Sequence, residues 1–167
     1  MSTTTYTRQE SAFGPLLLRA QNGTLTGLFF ADQPHAPTIG IDWKRDDDAD
    51  IFTQTLREVE EFASGERHEF HVEAGLIGRP FQVQVWREIA AIPYGETRTY
   101  GEISRLLGAS PRAVGSATGR NPLSLVIPCH RVMGANGALT GYAGGLDRKR
   151  RLLDLEKKAA SCTVAIA

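Results

Sequence analysis

The sequence predicts an α+β fold in two parts. A small N-terminal antiparallel sheet with one helix comes first, then a mostly helical region carrying a (winged) helix-turn-helix. Three observations lead there. Short apolar runs broken by turn residues fill the first thirty positions, apolar residues recur at helical spacing through much of the remainder, and the charge changes sign between the halves. Residues 1–80 carry 7 Lys/Arg against 13 Asp/Glu, a net of −6, and residues 81–167 carry 12 against 6, a net of +6. Such asymmetry predicts that one half meets a polyanion and the other does not. The plainer alternative is a surface whose signs separated by chance.

Taken in order, "TTYTRQES" supplies a strand, and "GPLLLRA" and "TLTGLFFA" form a β-hairpin across the "QNG" turn. The polar "ADQPHAPTIGIDWKRDDDAD" reads as a surface loop. Ile51, Phe52, Leu56, Val59 and Phe62 then mark a helix, capped by Asp50 or an earlier Asp. "HEFHVEAGL" alternates like a strand and closes a first domain over residues 1–76. A second domain covers residues 80–158. In it, Phe81, Val85, Trp86, Ile89 and Ile92 share a helical face after Pro80. "TYGEISRLLG" is a helix with Ile103, Leu106 and Leu107 apolar and Gly108 as its C-terminal cap. Ser110 caps the next helix and Pro111 opens it, so a tight link joins two short helices in the basic half. "LDRKRRLLDLEKK" is a cationic last helix started by Asp147, and 159–167 is expected to be an unstructured tail.

At 167 residues the chain buries a core without disulfides or metal. No apolar run approaches the ~18 residues of a membrane span. The N-terminus has no basic stretch followed by an apolar one, so neither a secretory signal nor a membrane partner is expected. Cys129 and Cys162 make no disulfide framework and are read as reduced thiols of an intracellular, cytoplasmic protein, nuclear in a eukaryotic source.

The chemistry concentrates around "IPCHRV". Cys129 sits near the end of a short apolar run, where a thiol is either inert packing or a tuned nucleophile. A nucleophile needs a base, and His130 is adjacent; a base needs an orienting partner, commonly a carboxylate. Glu156 follows Leu152 by four residues and Leu153 by three, so it either points partly inward or sits at a solvated edge. Asn121, before Pro122, serves a turn or a thiolate. The second helix of the pair, "PRAVGSATG", is almost all small residues. Ala113, Gly115, Ser116 and Ala117 offer few base-specific hydrogen bonds, but they permit close approach to a minor groove, or close packing in a core. Arg112 is the one long cation on it. Tyr142, within the Gly-rich "GANGALTGYAGG", offers a ring for a planar base, and those glycines suit a hairpin and loop.

The run "RAVGSATGRNPLSLVIPCHRVMGANGALTGYAGG" with "RKRRLLDLE" after it, and "PFQVQVWREIAAIPYGETRTYGEI" before it, resembles the O6-alkylguanine-DNA alkyltransferases, or methylated-DNA–protein-cysteine methyltransferases. The resemblance is strong over about residues 80–158. It implies an RNase H-like N-terminal domain and a single-use repair protein that flips O6-alkylguanine out of duplex DNA through the minor groove. O4-alkylthymine is left open as a second substrate. By resemblance, Cys129 accepts the alkyl group, His130 (through a water) and Glu156 deprotonate it, and Asn121 supports the thiol. Tyr100 presses on the phosphate 3′ to the lesion and gives a proton or hydrogen bond to N3. Arg112 fills the gap left by the base, with Ala113, Gly115 and Ala117 against the DNA. Val132 (by its carbonyl, with that of Cys129), Tyr142, Ala143 (by its N–H) and Gly144 form the base pocket. The resemblance also implies no cofactor and a monomer with cooperative loading on DNA left open; the zinc ligands that some members carry in the N-terminal domain are absent here, since neither cysteine lies there, so no structural metal is expected. The link between the paired helices looks shorter than in other members, so Arg112 is expected to enter at a slightly different angle. Kept beside this reading are an alkylated-base-binding protein without chemistry, a helix-turn-helix transcription factor, and, more remotely, a cysteine hydrolase.

Overall fold

In the computed structural model, residues 2–34 and 36–166 are described, with side chains to residue 160. Cys162, expected above to be a reduced thiol, therefore lies outside the described side chains. The chain divides into two compact units, Met1–Ile77 with Pro122–Val126, and Gly78–Asn121 with Ile127–Ala167. A single cut in the sequence does not express this division, because the five residues before the Cys129 segment belong to the first unit.

The first unit is a four-stranded sheet and a helix. Strands β1 (Thr4–Gln9), β2 (Leu16–Gln21), β3 (Thr24–Phe30) and β4 (Lys44–Arg45) lie in the order β3-β2-β1-β4. The β2–β3 hairpin forms where the turn residues predict, with Asn22 and Gly23 both at positive φ, the backbone that a two-residue hairpin loop requires. Leu16, Leu18, Leu28 and Phe30 pair across it and are buried. Helix α1 (Asp50–Ser64) adds Phe52, Val59 and Phe62 to this core. Pro122–Val126 joins β3 through a bridge in which the Leu28 N–H donates to the Pro122 carbonyl and the Ser124 N–H to that of Leu28.

Four sequence expectations change in this unit or at the chain end. The loop after β3 contains β4, parallel to β1, so the sheet is not purely antiparallel. Residues 68–76 form no strand. Only Ala74 bridges Leu25, and the His71 N–H is taken by the Glu58 carboxylate (2.6 Å) instead of a ladder. Asp50 is the first helical residue; Ala49 holds the cap position, and the N–H groups of Phe52 and Thr53 bond its carbonyl. At the chain end, helical backbone runs on to Ile166, through the segment expected to be unstructured.

The second unit holds α2 (Pro80–Ala90), α3 (Tyr100–Leu107), α4 (Pro111–Gly119) and α5 (Leu146–Ile166), with a two-stranded parallel sheet of β5 (Arg98–Thr99) and β6 (Val132–Met133). Pro80 opens α2 and packs its Val85, Trp86 and Ile89 inward. Thr99 caps α3 by accepting from the Glu102 N–H, and Gly108 ends it in the left-handed conformation. Ser110 caps α4 by accepting from the Ala113 N–H, with Pro111 in the first turn. Three residues thus separate α3 from α4. Leu106, one of the apolar residues of this helix, is 63% exposed. No hairpin follows β6. After it the chain makes a one-turn 3-10 helix (Ala135–Gly137) and a loop into α5.

Candidate active site

Cys129 opens a one-turn 3-10 helix (Cys129–Arg131) and is buried. Its N–H donates to the Ile127 carbonyl (2.7 Å), and the Asn121 amide donates to the same carbonyl (2.9 Å) while hydrogen-bonding the thiol. Asn121 therefore serves turn and thiol together. Four residues upstream, Leu125 holds φ of 71°, a conformation that costs a bulky residue energy and is kept only where both flanks are fixed. Burial pushes the thiol above its ordinary pKa, while the Asn121 hydrogen bond and the charge of Lys149 pull it back. Such a thiol needs a base before it attacks.

His130 and Glu156, expected as base and orienting partner, pair with each other in the same unit. His130 Nε2 lies 2.5 Å from Glu156 Oε2, both side chains fully buried. Burial would raise the Glu156 carboxyl, but the hydrogen bonds and charges of His130 and Arg131 outweigh it and hold it at about 2. Burial keeps His130 below its ordinary pKa, so the ring is neutral near pH 7. A neutral imidazole facing a carboxylate through Nε2 carries its proton there, which leaves Nδ1 as the basic nitrogen.

Sequence reasoning did not single out two residues of this cluster. Arg131 Nε donates to both Glu156 oxygens (2.8 and 3.1 Å), its Nη2 to Oε2 (2.9 Å), and its Nη1 to the Ile92 carbonyl (2.7 Å). The Gly95 N–H completes the carboxylate shell at 3.1 Å. Lys149 is 0% exposed, and its ammonium donates to the carbonyls of Val132 (2.6 Å), Thr140 (2.8 Å) and Gly141 (3.0 Å). A signal for Lys149 existed. It lies three residues before buried Leu152 and Glu156 lies four after it, so the three share one helix face.

The predicted pocket residues gather around this cluster. Val132 is buried and gives its carbonyl to Lys149. Tyr142 sets its ring edge-on to His130 at 6.5 Å, and burial with the nearby Cys129 charge raises its hydroxyl well above the ordinary value. The Tyr100 hydroxyl is near Gly141, and burial followed by the Cys129 charge raises it too. The Gly144 carbonyl accepts from Arg148 (3.1 Å), and Ala143, partly exposed, is in the same loop.

Helix α4 separates cleanly into faces. Val114, Ala117 and Thr118 are buried. Ala117, expected at a DNA surface, is 3% exposed because its turn packs on α2, where its carbonyl accepts from Trp86 Nε1 (2.8 Å). The outward stripe is instead Arg112, Gly115, Ser116 and Gly119, with Ala113 at its edge. A Cβ at Gly115 or Gly119 would meet nothing within 4 Å. Packing inside the unit therefore does not demand glycine there.

Residues 80–158 match the family model described as the 6-O-methylguanine DNA methyltransferase DNA-binding domain. The methylated-DNA–protein-cysteine methyltransferase of Mycobacterium tuberculosis is 44% identical over 163 residues, 96% of this chain and 97% of the relative. This chain belongs to the methylated-DNA–protein-cysteine methyltransferase family. A Methanosarcina acetivorans member is 43% identical over 149 residues, covering 88% of this chain and 94% of the relative. Among solved structures, Mycobacterium tuberculosis OGT in complex with DNA matches with a TM-score of 0.84 at 44% identity, over 93% of this chain and 94% of that one. The O6-methylguanine-DNA methyltransferase of Pyrococcus kodakaraensis matches at 0.64 and 25% identity, over 92% and 99%. Among the described residues of this family member, no helix is long and apolar enough to cross a membrane, and no group of three or more His, Cys, Asp or Glu is placed to hold a metal.

Proposed function

We propose that this methyltransferase repairs duplex DNA by taking the alkyl group of O6-alkylguanine onto Cys129, once per molecule. The observation behind it is a buried thiol in one cluster with a buried ion pair: Asn121 hydrogen-bonds Cys129, and the next residue, His130, pairs with Glu156, whose carboxylate Arg131 fixes. The base leaves the stack through the minor groove, against the Arg112–Gly115–Ser116–Gly119 stripe, and Arg112 fills the gap. His130 Nδ1 takes the thiol proton through a water. A sulfur lone pair attacks the alkyl carbon, the carbon–O6 bond breaks, and its electron pair leaves on guanine. Tyr100, whose hydroxyl stays protonated across the neutral range, hydrogen-bonds or protonates N3 and so makes guanine a better leaving group. The carbonyls of Cys129 and Val132 accept from the exocyclic amine, the Ala143 N–H donates to O6, and Tyr142 and Gly144 close the pocket. The chain works as a monomer in the compartment that holds the DNA.

A base-binding protein without chemistry would share the groove and pocket but has no use for a thiol under a buried His–Glu–Arg chain. Cys129→Ser separates the two readings. The variant should bind O6-methylguanine duplex like the parent and remove no methyl group over hours. Continued repair by the variant would mean another acceptor, and the assignment of Cys129 would be lost.

A further inference from the structure

Arg131 is buried, and a guanidinium out of water needs its donors satisfied and its plane held. Its edges are bound in plane: Nε and Nη2 donate to Glu156, and Nη1 donates to the Ile92 carbonyl (2.7 Å). In-plane bonds leave the plate free to tilt. Its face meets the Tyr94 ring, with the guanidinium carbon 5.5 Å from the ring centroid. Tyr94 comes from the turn Pro93–Glu96, closed by the Glu96 N–H on the Pro93 carbonyl (3.1 Å). Gly95 is its third residue, at φ of 80°, the pattern of a type II turn, where a side chain would be strained. The Gly95 N–H reaches Glu156 Oε1 (3.1 Å), and a Cβ on Gly95 would stand 3.2 Å from Ala160 on α5. Ile92 and this turn thus seat three groups on one ion pair: a carbonyl and a ring on the cation, and an N–H on the anion. An aliphatic residue at 94 would cover the same surface. Only a flat ring with a negative face both attracts a guanidinium and keeps it level. The same segment leads on into β5, which pairs with β6 (Arg98 with Val132, Thr99 with Met133) and delivers Tyr100 at the start of α3.

We propose that Tyr94 is a positioning residue for alkyl transfer: its ring holds the Arg131 guanidinium level, and Arg131 in turn holds the Glu156 carboxylate that orients His130. The proposal rests on Cys129 being the acceptor and deepens that reading, since it names what keeps the base aligned. Tyr94 acts only through Arg131, Glu156 and His130. The other ionisable groups that face this assembly are Tyr142, toward Glu156, and Lys149, toward His130. Without the ring, water reaches the ion pair and Arg131 loosens. Burial first, and the Arg131 charge after it, are what keep the imidazole from taking a proton. With both weakened, His130 is protonated at a higher pH and fails as a base there.

Two measurements test this. The first follows single-turnover transfer from O6-methylguanine duplex across the neutral and acid range in the parent, Tyr94→Leu and Tyr94→Phe. Tyr94→Leu should react roughly tenfold more slowly at neutral pH with its half-saturating DNA concentration unchanged. Its acid limb should move up by at least about half a pH unit. Tyr94→Phe keeps the ring and should track the parent in both. A parent-like rate and acid limb in Tyr94→Leu, or Tyr94→Phe failing as far as Tyr94→Leu, overturns the assignment. The second measurement uses no DNA, so its failure is distinct from failure of alkyl transfer. Solvent exchange of the Arg131 Nε–H is read by NMR in protein carrying isotope-labelled arginine. In the parent it should be at least about a hundredfold slower than that of exposed Arg112, and an equal rate overturns the proposal without any variant. Tyr94→Leu should quicken the exchange roughly tenfold and Tyr94→Phe should leave it slow. Unchanged protection in Tyr94→Leu would mean that the ring holds nothing.

Discussion

Two buried glutamates, one in each unit, show what makes a site. Glu58 on α1 and Glu156 on α5 are each 1% exposed. Glu58 accepts from the Gln54 amide (2.8 Å) and the His71 N–H (2.6 Å), with Arg67 at 3.7 Å. Its partners come from its own helix and the segment just after it, and they fasten residues 67–71 to α1. Glu156 accepts from a histidine, an arginine and a glycine N–H that lie 25 to 61 residues away in sequence. Burial is the same in both cases. The difference lies in the partners. A carboxylate satisfied by amides is a staple, whereas one shared between a neutral imidazole and a guanidinium fixes the orientation of that imidazole. The first unit spends its one such carboxylate on the fold. The second unit buries Arg131, Lys149, His130 and Glu156 together around Cys129, an expensive arrangement that stability alone does not reward.

The sharpest way to break this comparison is to remove the charge from each carboxylate. Glu156→Gln should slow alkyl transfer by roughly 10²–10⁴-fold, since His130 loses its orienting partner. It should also cost about 3–5 kcal/mol, because Arg131 is left buried and uncompensated. Glu58→Gln should cost roughly 1–3 kcal/mol and leave the rate per folded molecule unchanged. Single-turnover kinetics beside chemical denaturation read both, and equal loss of rate in the two variants would erase the distinction.

Next in size is the acid response. Glu156 is held at about 2, below the ordinary 4.5 that applies in the unfolded chain. Its stabilisation is therefore complete above pH 4.5 and is lost as pH falls from there toward 2. Buried neutral His130 adds to the slope from higher pH, because below 6.5 the unfolded chain takes up a proton that the folded one refuses. Denaturation midpoints across pH 2–7 should show this decline in the parent, and Glu156→Gln should flatten its lower part.

Smaller effects belong to α4. Arg112→Ala should slow repair of duplex DNA roughly 10- to 100-fold, because the cost of an extruded base is a few kcal/mol, while leaving melting unchanged. An unaltered rate on duplex would remove Arg112 from the flipping step. Gly115→Ala should stabilise the fold by about 0.5–1 kcal/mol, since its Cβ meets nothing, and yet weaken DNA binding. Tighter binding in that variant would mean the bare stripe does not face DNA.

Most of the fold is legible in the sequence wherever one physical signal governs. The β2–β3 hairpin follows from its turn, α1 and α2 from apolar spacing, and α3 and α4 from Gly108, Ser110 and Pro111. Legibility fails where long-range partners overrule a local pattern. Residues 68–76 alternate, but the His71 N–H goes to Glu58 and only Ala74 bridges a strand, and Ala117 is small because α2 lies against it. In the site, Cys129, His130 and Glu156 follow from reactivity and spacing. Arg131 and Lys149 do not, because a cation in a run of cations looks solvated until its buried acceptors are known.

The central claim is a sulfur that accepts carbon once. The direct measurement incubates the protein with O6-[methyl-labelled]guanine duplex in excess and counts label by peptide. The account predicts one equivalent per molecule, all on the Cys129 peptide and none on the Cys162 peptide, with repair stopping there. Label released to solvent with continued turnover, or label resting on Cys162, would contradict it.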